Sequence, residues 1–470
     1  MSNEFTRRAL LRFSALAGAG ALTSPAWSRS LPARAASTRR GRFNPADLAA
    51  DRIVASVRRP FFPRRFFPVT RFGAVADGTT DCTQAFAAAI AACSRAGGGH
   101  VIVPAGQFLT GAIHLLSDVD LHLEADSTIL FSQDPNAYLP VVLTRWQGIE
   151  LMNYSPPIYS YGQRNIAITG SGTLNGQADA SHWWNWKSLE TPDFTLLETM
   201  ADGNVPVSQR VFGPGHYLPP QMIQPFLTDT VLIQGVTIIN SPFWHLNPNL
   251  CQNVTVEGVS ISSSGPNTDG CDPESCNGVV IDGVTFNTGD DCIAIKSGRD
   301  ADGRRVNVPS QNLVIQNCTF AGGHGGITIG SEMTGGVKNV YARDLTMNSA
   351  SLQAGHRIKT NTLRGGYAVN SNVYRITAGT VGGPLLLIQG NYSGQTGDFP
   401  PDITGITLAD WTVDSCAGIW SLIGASAADP VGTVTLDGLT ITTSTAASSA
   451  QYVSNLVVED VTVGGTPVTS

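Results

Sequence analysis

The chain has 470 residues, of which 14% are charged, and a formal net charge of −7. That acidic balance excludes a general nucleic-acid binder, which needs a broad basic surface to displace counterions from phosphates, and beyond the N-terminal segment no window is apolar enough to span a membrane. Fifty glycines among short alternating runs of Val, Ile and Thr point to a β protein with many turns and a sizeable core.

Arg7 and Arg8, followed by the small and apolar residues 13–22, form the pattern of a twin-arginine type export signal. Ala33-Arg34-Ala35 fits a small-x-small cleavage site, and losing residues 1–35 removes five Arg and one Glu, which takes the net charge from −7 to about −11. The expectation is delivery to the periplasm or the exterior; a cytosolic protein with a basic tail is the alternative. Eight cysteines (82, 93, 251, 271, 276, 292, 318 and 416) in an exported chain permit disulfides, with Cys271 and Cys276 the nearest pair in sequence, and buried free thiols are the other reading.

Residues 36–66 are rich in Arg, Pro and Phe and read as an extended arm on a larger body rather than a helix. Next, Asp81 is placed to cap a helix with Gln84 at its third position; Phe86, Ile90 and Cys93 share one face and the glycines at 97–99 end it. This helix is expected to cover an open end of the core.

From there one phrase recurs: apolar, x, apolar, x, Gly/Asn/Asp, apolar, x, apolar. It starts at Val231, Val254, Val279, Leu313, Val340, Ile406, Val434 and Leu456, with a weaker copy at Val373 inside the 66-residue gap after Val340. Period-2 alternation inside repeats of this length predicts a parallel β-helix over residues 67–470, the alternating apolar residues stacking inward and the Gly, Asn or Asp bending the chain between short strands. A β-sandwich would alternate too, but gives no reason for one phrase to return.

The unusual residues fall at related places in the coils. Asp290 lies 11 past Val279 and His324 lies 11 past Leu313, while Asp269 precedes Asp290 by 21 residues, about one coil. Neighbouring coils are about 4.8 Å apart, so Asp269, Asp290 and Asp291 meet in one patch. Like charges this close raise at least one carboxyl pKa, so that one group can act as an acid while others act as bases. Turn carboxylates satisfied by backbone N–H groups are the bland alternative. Arg357 and Lys359, at i and i+2, share a face suited to an anionic sugar; a solvated edge is the competing reading. His324, between glycines, is left uncovered.

These residues resemble the polygalacturonase family of glycoside hydrolases, family 28, in four ordered motifs: Asn267, Thr268 and Asp269 in PNTDG, Asp290 and Asp291 in TGDD, His324 in GHG, and Arg357 with Lys359 in RIK. The resemblance runs from about Phe67 to the C-terminus. It implies a right-handed parallel β-helix acting on pectin without metal or cofactor. Asp290 would be the general acid, Asp269 and Asp291 would position and deprotonate water, and His324 would tune the acid. Asn267 would line the substrate site, Arg357 and Lys359 would hold a galacturonate carboxylate, and Tyr392, placed by spacing, would contact the sugar beside the cut. Family members invert the anomeric centre.

The expected substrate is polygalacturonate or its oligomers, the expected state a monomer with no nucleic-acid or membrane partner. Residues 146–225, with Trp183, Trp184 and Trp186, could wall off one end of the groove and make the enzyme exo-acting; endo action, or a rhamnogalacturonan hydrolase, is the alternative. More distant readings are a calcium-dependent pectate lyase and a non-catalytic glycan-binding solenoid.

Overall fold

The computed structural model describes residues 44–469; the export signal and the start of the arm lie outside them. The chain winds into a right-handed parallel β-helix, most of whose strands join one long sheet and pair in parallel with the strand one coil away. The repeated phrases stack in register: Val231 on Val254, Val254 on Val279, Val279 on Leu313, and Leu313 on Val340. Their inward residues form a continuous ladder, Ile233, Val256, Ile281, Ile315, Ala342, Val373, Leu408 and Leu436, all buried.

Val340 pairs with Ser371, and Ser371 with Ile406, so the weak phrase begins two residues before Val373. A buried serine occupies the first inward position there and hides the repeat from an apolar pattern. The coils also begin earlier than the phrases suggest. Phe67 pairs with Val101, Val101 with Leu121, and Leu121 with Ile168.

The bends fall where the phrase places them. Gly235, Gly258, Gly283, Asn317, Asp344, Arg375, Asp410, Gly438 and Asp460 all have left-handed backbone, with φ from 52° to 77°. Arg375 is the one residue in that column without a local preference for it, and it is held by Asp344 and Asp47, each at 2.8 Å.

The first coils are closed by a helix, α2 (Thr83–Arg95), whose Phe86, Ile90 and Cys93 are buried at about 1.5–3 kcal/mol for each large apolar side chain. The N-cap is Cys82, one residue later than the sequence suggests, so Gln84 falls at the second position and no capping box forms. Asp81 still accepts from the Thr83 N–H at 2.9 Å. At the far end Gly98 N–H reaches Cys93 O and Gly97 N–H reaches Ser94 O, the paired bonds of a left-handed glycine stop.

The arm departs from expectation. Residues Pro45–Ser56 form a helix, α1, with Pro45 at its first position, where a missing N–H is not needed. The Arg, Pro and Phe of residues 57–66 dominate the composition and conceal the Ala-rich turns before them. Ala50 packs on Val314 and Tyr341, and the chain beyond crosses the coils in extended form, with Arg58 on Asp229 and Arg59 on Glu257. All eight cysteines are free and buried. No helix among the described residues is long and apolar enough to cross a membrane.

Candidate active site

Backbone register brings the motif residues together. Cys271 pairs with Ile293 and Ile293 with Ile327, so Asp269 stacks on Asp291 and Asp290 on His324. Asp269, Asp290 and Asp291 each offer an oxygen within 4.8 Å of the others.

The adjacent acids lie in the bend just before the strand Ile293–Ile295 and point apart. Asp291 turns inward, is fully buried, and accepts from Lys359 Nζ at 2.7 Å; Asp290 turns to the cleft, with 24% of its side chain exposed, and meets His324 Nδ1 at 3.2 Å. Gly325 is essential to this packing, because a Cβ there would lie 2.6 Å from Asp291 Oδ1.

The environments differ in charge preference. Burial, then the nearby charges of Asp272 and Asp290, push the Asp269 carboxyl well above its ordinary range. Burial also acts upward on Asp290, but the His324 hydrogen bond and the Lys359 charge outweigh it and hold Asp290 low; His324 is raised in turn by its bond to Asp290. Burial would strip the Lys359 proton, and the Asp291 carboxylate prevents it. The surroundings therefore favour the charged forms of Asp290 and His324 and the neutral form of Asp269.

A cleft of ≈ 360 Å³ runs over Asp269, Asp290 and His324, and Asn267, Arg357, Lys359 and Tyr392 line it with them, while Asp291 lies buried beneath. Arg357 and Lys359 share a face but differ in role, since Lys359 is bound to Asp291 while Arg357 donates to Gln389 and Gln353. The Tyr392 ring lies 5.9 Å from the Arg357 guanidinium and 5.6 Å from Lys359 Nζ. Asn267 has left-handed backbone, and its Oδ1, like Oδ1 of Asp269 and Asp291, is buried with no hydrogen bond to protein atoms.

Sequence reasoning missed Lys296, Glu332, Asp272 and Arg299. Lys296 is 3% exposed, donates to Glu332 at 3.1 Å and lies 3.7 Å from Asp272 and 3.9 Å from Asp269. Its signal was a lysine closing the apolar run Ile293, Ala294, Ile295, a place where a charge is costly unless paired. The tryptophans are also reassigned. Trp183 and Trp186 pack with Tyr138 and Tyr154 away from the cleft, which the inserted segment reaches through Gln147 and Phe194.

The three carboxylates have the spacing of a chelate for a hard cation. Lys359 and Lys296 already supply positive charge to Asp291 and Asp269, so a divalent ion would compete with both.

A solenoid that gathers three carboxyls beside a cleft lined with cations can carry the chemistry of a glycoside hydrolase. The chain belongs to glycosyl hydrolases family 28, whose model matches residues 214–460. It is 31% identical over 388 residues, 79% of this chain and 73% of the relative, to a probable polygalacturonase of Vitis vinifera. In structure it is similar to a hyperthermoactive exopolygalacturonase from Thermotoga maritima (TM-score 0.84, 39% identity, 88% of this chain and 96% of that one). It shares its fold with the family 28 exopolygalacturonase of Yersinia enterocolitica (TM-score 0.67, 23% identity, 86% and 80%).

Proposed function

We propose that the protein hydrolyses the α-1,4-galacturonosyl linkages of polygalacturonate from a chain end, with inversion, after export by its twin-arginine type signal. The observation that carries this is the division of labour among carboxyls packed within 4.8 Å in a cleft lined by cations.

Asp290 and His324 share one proton. Protonated Asp290 with neutral His324 has the same net charge as the ion pair, so the competent form is present wherever the pair holds that proton. From it Asp290 protonates the leaving oxygen. Asp269, protonated, orients the water, and Asp291 takes the water's proton while Lys359 steadies the charge. Arg357 and Tyr392 hold the sugar across the cut.

The carboxyls are closer than the ~6.5–9.5 Å usual for inversion and nearer the ~5–5.5 Å of retaining pairs. Inversion is supported by the state of the possible nucleophiles: Asp269 keeps its proton, and Asp291 is buried and bound to Lys359. End cleavage is supported by the inserted residues Gln147 and Phe194 on the cleft wall and by the likeness to the Thermotoga exopolygalacturonase. Proton NMR of the first product anomer tests the stereochemistry: β-galacturonate supports the proposal and α-galacturonate rejects inversion.

A further inference from the structure

A second cationic group lies between the catalytic carboxyls and the inserted segment. Lys296 and Lys359 occupy the same register position two coils apart, since Ile295 pairs with Ile329 and Gly330 with Lys359. Lys359 is bound to Asp291, whereas Lys296 makes a single hydrogen bond, to Glu332. Glu332 also accepts from Arg299 Nη1 at 3.3 Å. Arg299 is in turn held by Glu198 of the insert, which accepts from its Nε at 3.0 Å, and its guanidinium lies 4.7 Å from the centre of the Phe194 ring.

A short chain of contacts thus joins the insert to the catalytic carboxyls: Phe194 and Glu198 to Arg299, Arg299 to Glu332, Glu332 to Lys296, and Lys296 to Asp269. Both ends of it face the cleft. The polar groups around it are incompletely used. Asp272, fully buried, makes no hydrogen bond through either carboxylate oxygen, and the two Lys296 N–H groups not bonded to Glu332 have carboxylates only at 3.7 and 3.9 Å. Arg299, with five N–H groups, pairs with Glu198 through Nε and Nη2, at 3.0 and 2.8 Å, and with Glu332 through Nη1, which leaves the second N–H of each Nη for a ligand.

We propose that Arg299 and Lys296 recognise the carboxylate of the terminal uronate, on the side of the cut opposite Arg357 and Tyr392. This deepens the end-cleaving reading and rests on it. Phe194 and Glu198 close the space beyond that sugar, and Glu332 spaces the two cations. The site requires a free acid on the last sugar, so it selects an unesterified terminus as well as an end.

The test compares trigalacturonate with trigalacturonates methyl-esterified on one terminal sugar or the other, using wild type, Arg299→Gln, Arg299→Lys and Glu198→Gln. Wild type should prefer the free acid at one particular end by ~10- to 100-fold in kcat/KM, the range of a charge-assisted contact. Arg299→Gln should lose most of that preference through KM, and Arg299→Lys should recover part of it. Glu198→Gln changes a part-exposed group, keeps the guanidinium and should lower the preference by a smaller factor, so it decides the matter if Arg299→Gln does not fold. An equal preference in wild type and the variants overturns the assignment, as does a wild type indifferent to esterification at both ends. A wild type that hydrolyses no galacturonan overturns the reading of function instead.

Discussion

Lys359 Nζ lies 2.7 Å from Asp291 Oδ2, while Arg357, two residues earlier on the same strand face, is bonded to Gln389 and Gln353. The pair that looked equivalent in sequence thus differs in its partners, and the proposed mechanism divides it between catalysis and binding. Lys359→Ala leaves a buried carboxylate unpaired, which costs about 3–5 kcal/mol when one partner of such a pair is removed. It should lower both Tm and kcat, the latter by ~10²-fold or more. Arg357→Ala should act chiefly on KM and leave Tm within error. Steady-state kinetics and thermal melting of the two variants check this, and matching effects would refute the division.

In the proposed mechanism His324 sets the pH window. Its pKa is raised and that of Asp290 lowered, so their mutual stabilisation is complete between the ordinary Asp and His values. It fades as pH rises through the raised His324 value and as pH falls through the lowered Asp290 value. If activity needs the pair's one proton, the alkaline limb of kcat/KM should lie above the ordinary His value of about 6.5. In His324→Ala the proton depends on Asp290 alone and leaves at lower pH, so that limb should move toward acid. An unmoved limb would show that His324 does not hold the proton.

Asp290→Asn removes the acid while keeping the shape of a part-exposed side chain. Turnover should fall ~10²-fold or more with little change in Tm. Near-wild-type turnover would sink the assignment.

Much of this was legible because a β-helix writes its coils into the sequence at regular intervals. The phrases and their left-handed Gly, Asn and Asp bends were read correctly wherever an apolar residue opened the phrase, and were misplaced where Ser371 did so. The motif carboxyls could be brought together from spacing alone, although the register stacks Asp269 on Asp291 rather than on Asp290. Lys296, Arg299 and Glu332 were hidden because their meaning lies in partners one or more coils away, in loops of unequal length. Which acid keeps the proton was equally hidden, since burial and neighbouring charge decide it.

Metal removal separates hydrolysis from lyase chemistry. Lys359 and Lys296 supply charge where a calcium ion would have to bind, so activity should survive a chelator and the products should carry no ultraviolet-absorbing unsaturated ends. Loss of activity restored by calcium would favour the lyase.

The inserted segment is pinned beside the turn that carries Asn267 and Asp269 by Gly265. A Cβ there would fall 2.1 Å from the Trp184 indole, whose Nε1 donates to Ser241 O at 2.9 Å. Gly265→Ala must therefore displace Trp184 and loosen the insert where it meets the coil bearing Asn267 and Asp269, and Tm should fall. In the proposed binding mode a terminal sugar is held against Phe194 and Arg299, so wild type should release galacturonic acid or one fixed short oligomer, with reducing ends rising while viscosity falls slowly. The loosened variant should admit longer stretches of chain and broaden the earliest products toward a ladder. Chromatography of the first products from both proteins decides the matter: a ladder from wild type would make the segment ordinary surface and the enzyme endo-acting, whereas a single product from wild type that broadens in the variant ties end cleavage to the packing of Trp184 on Gly265.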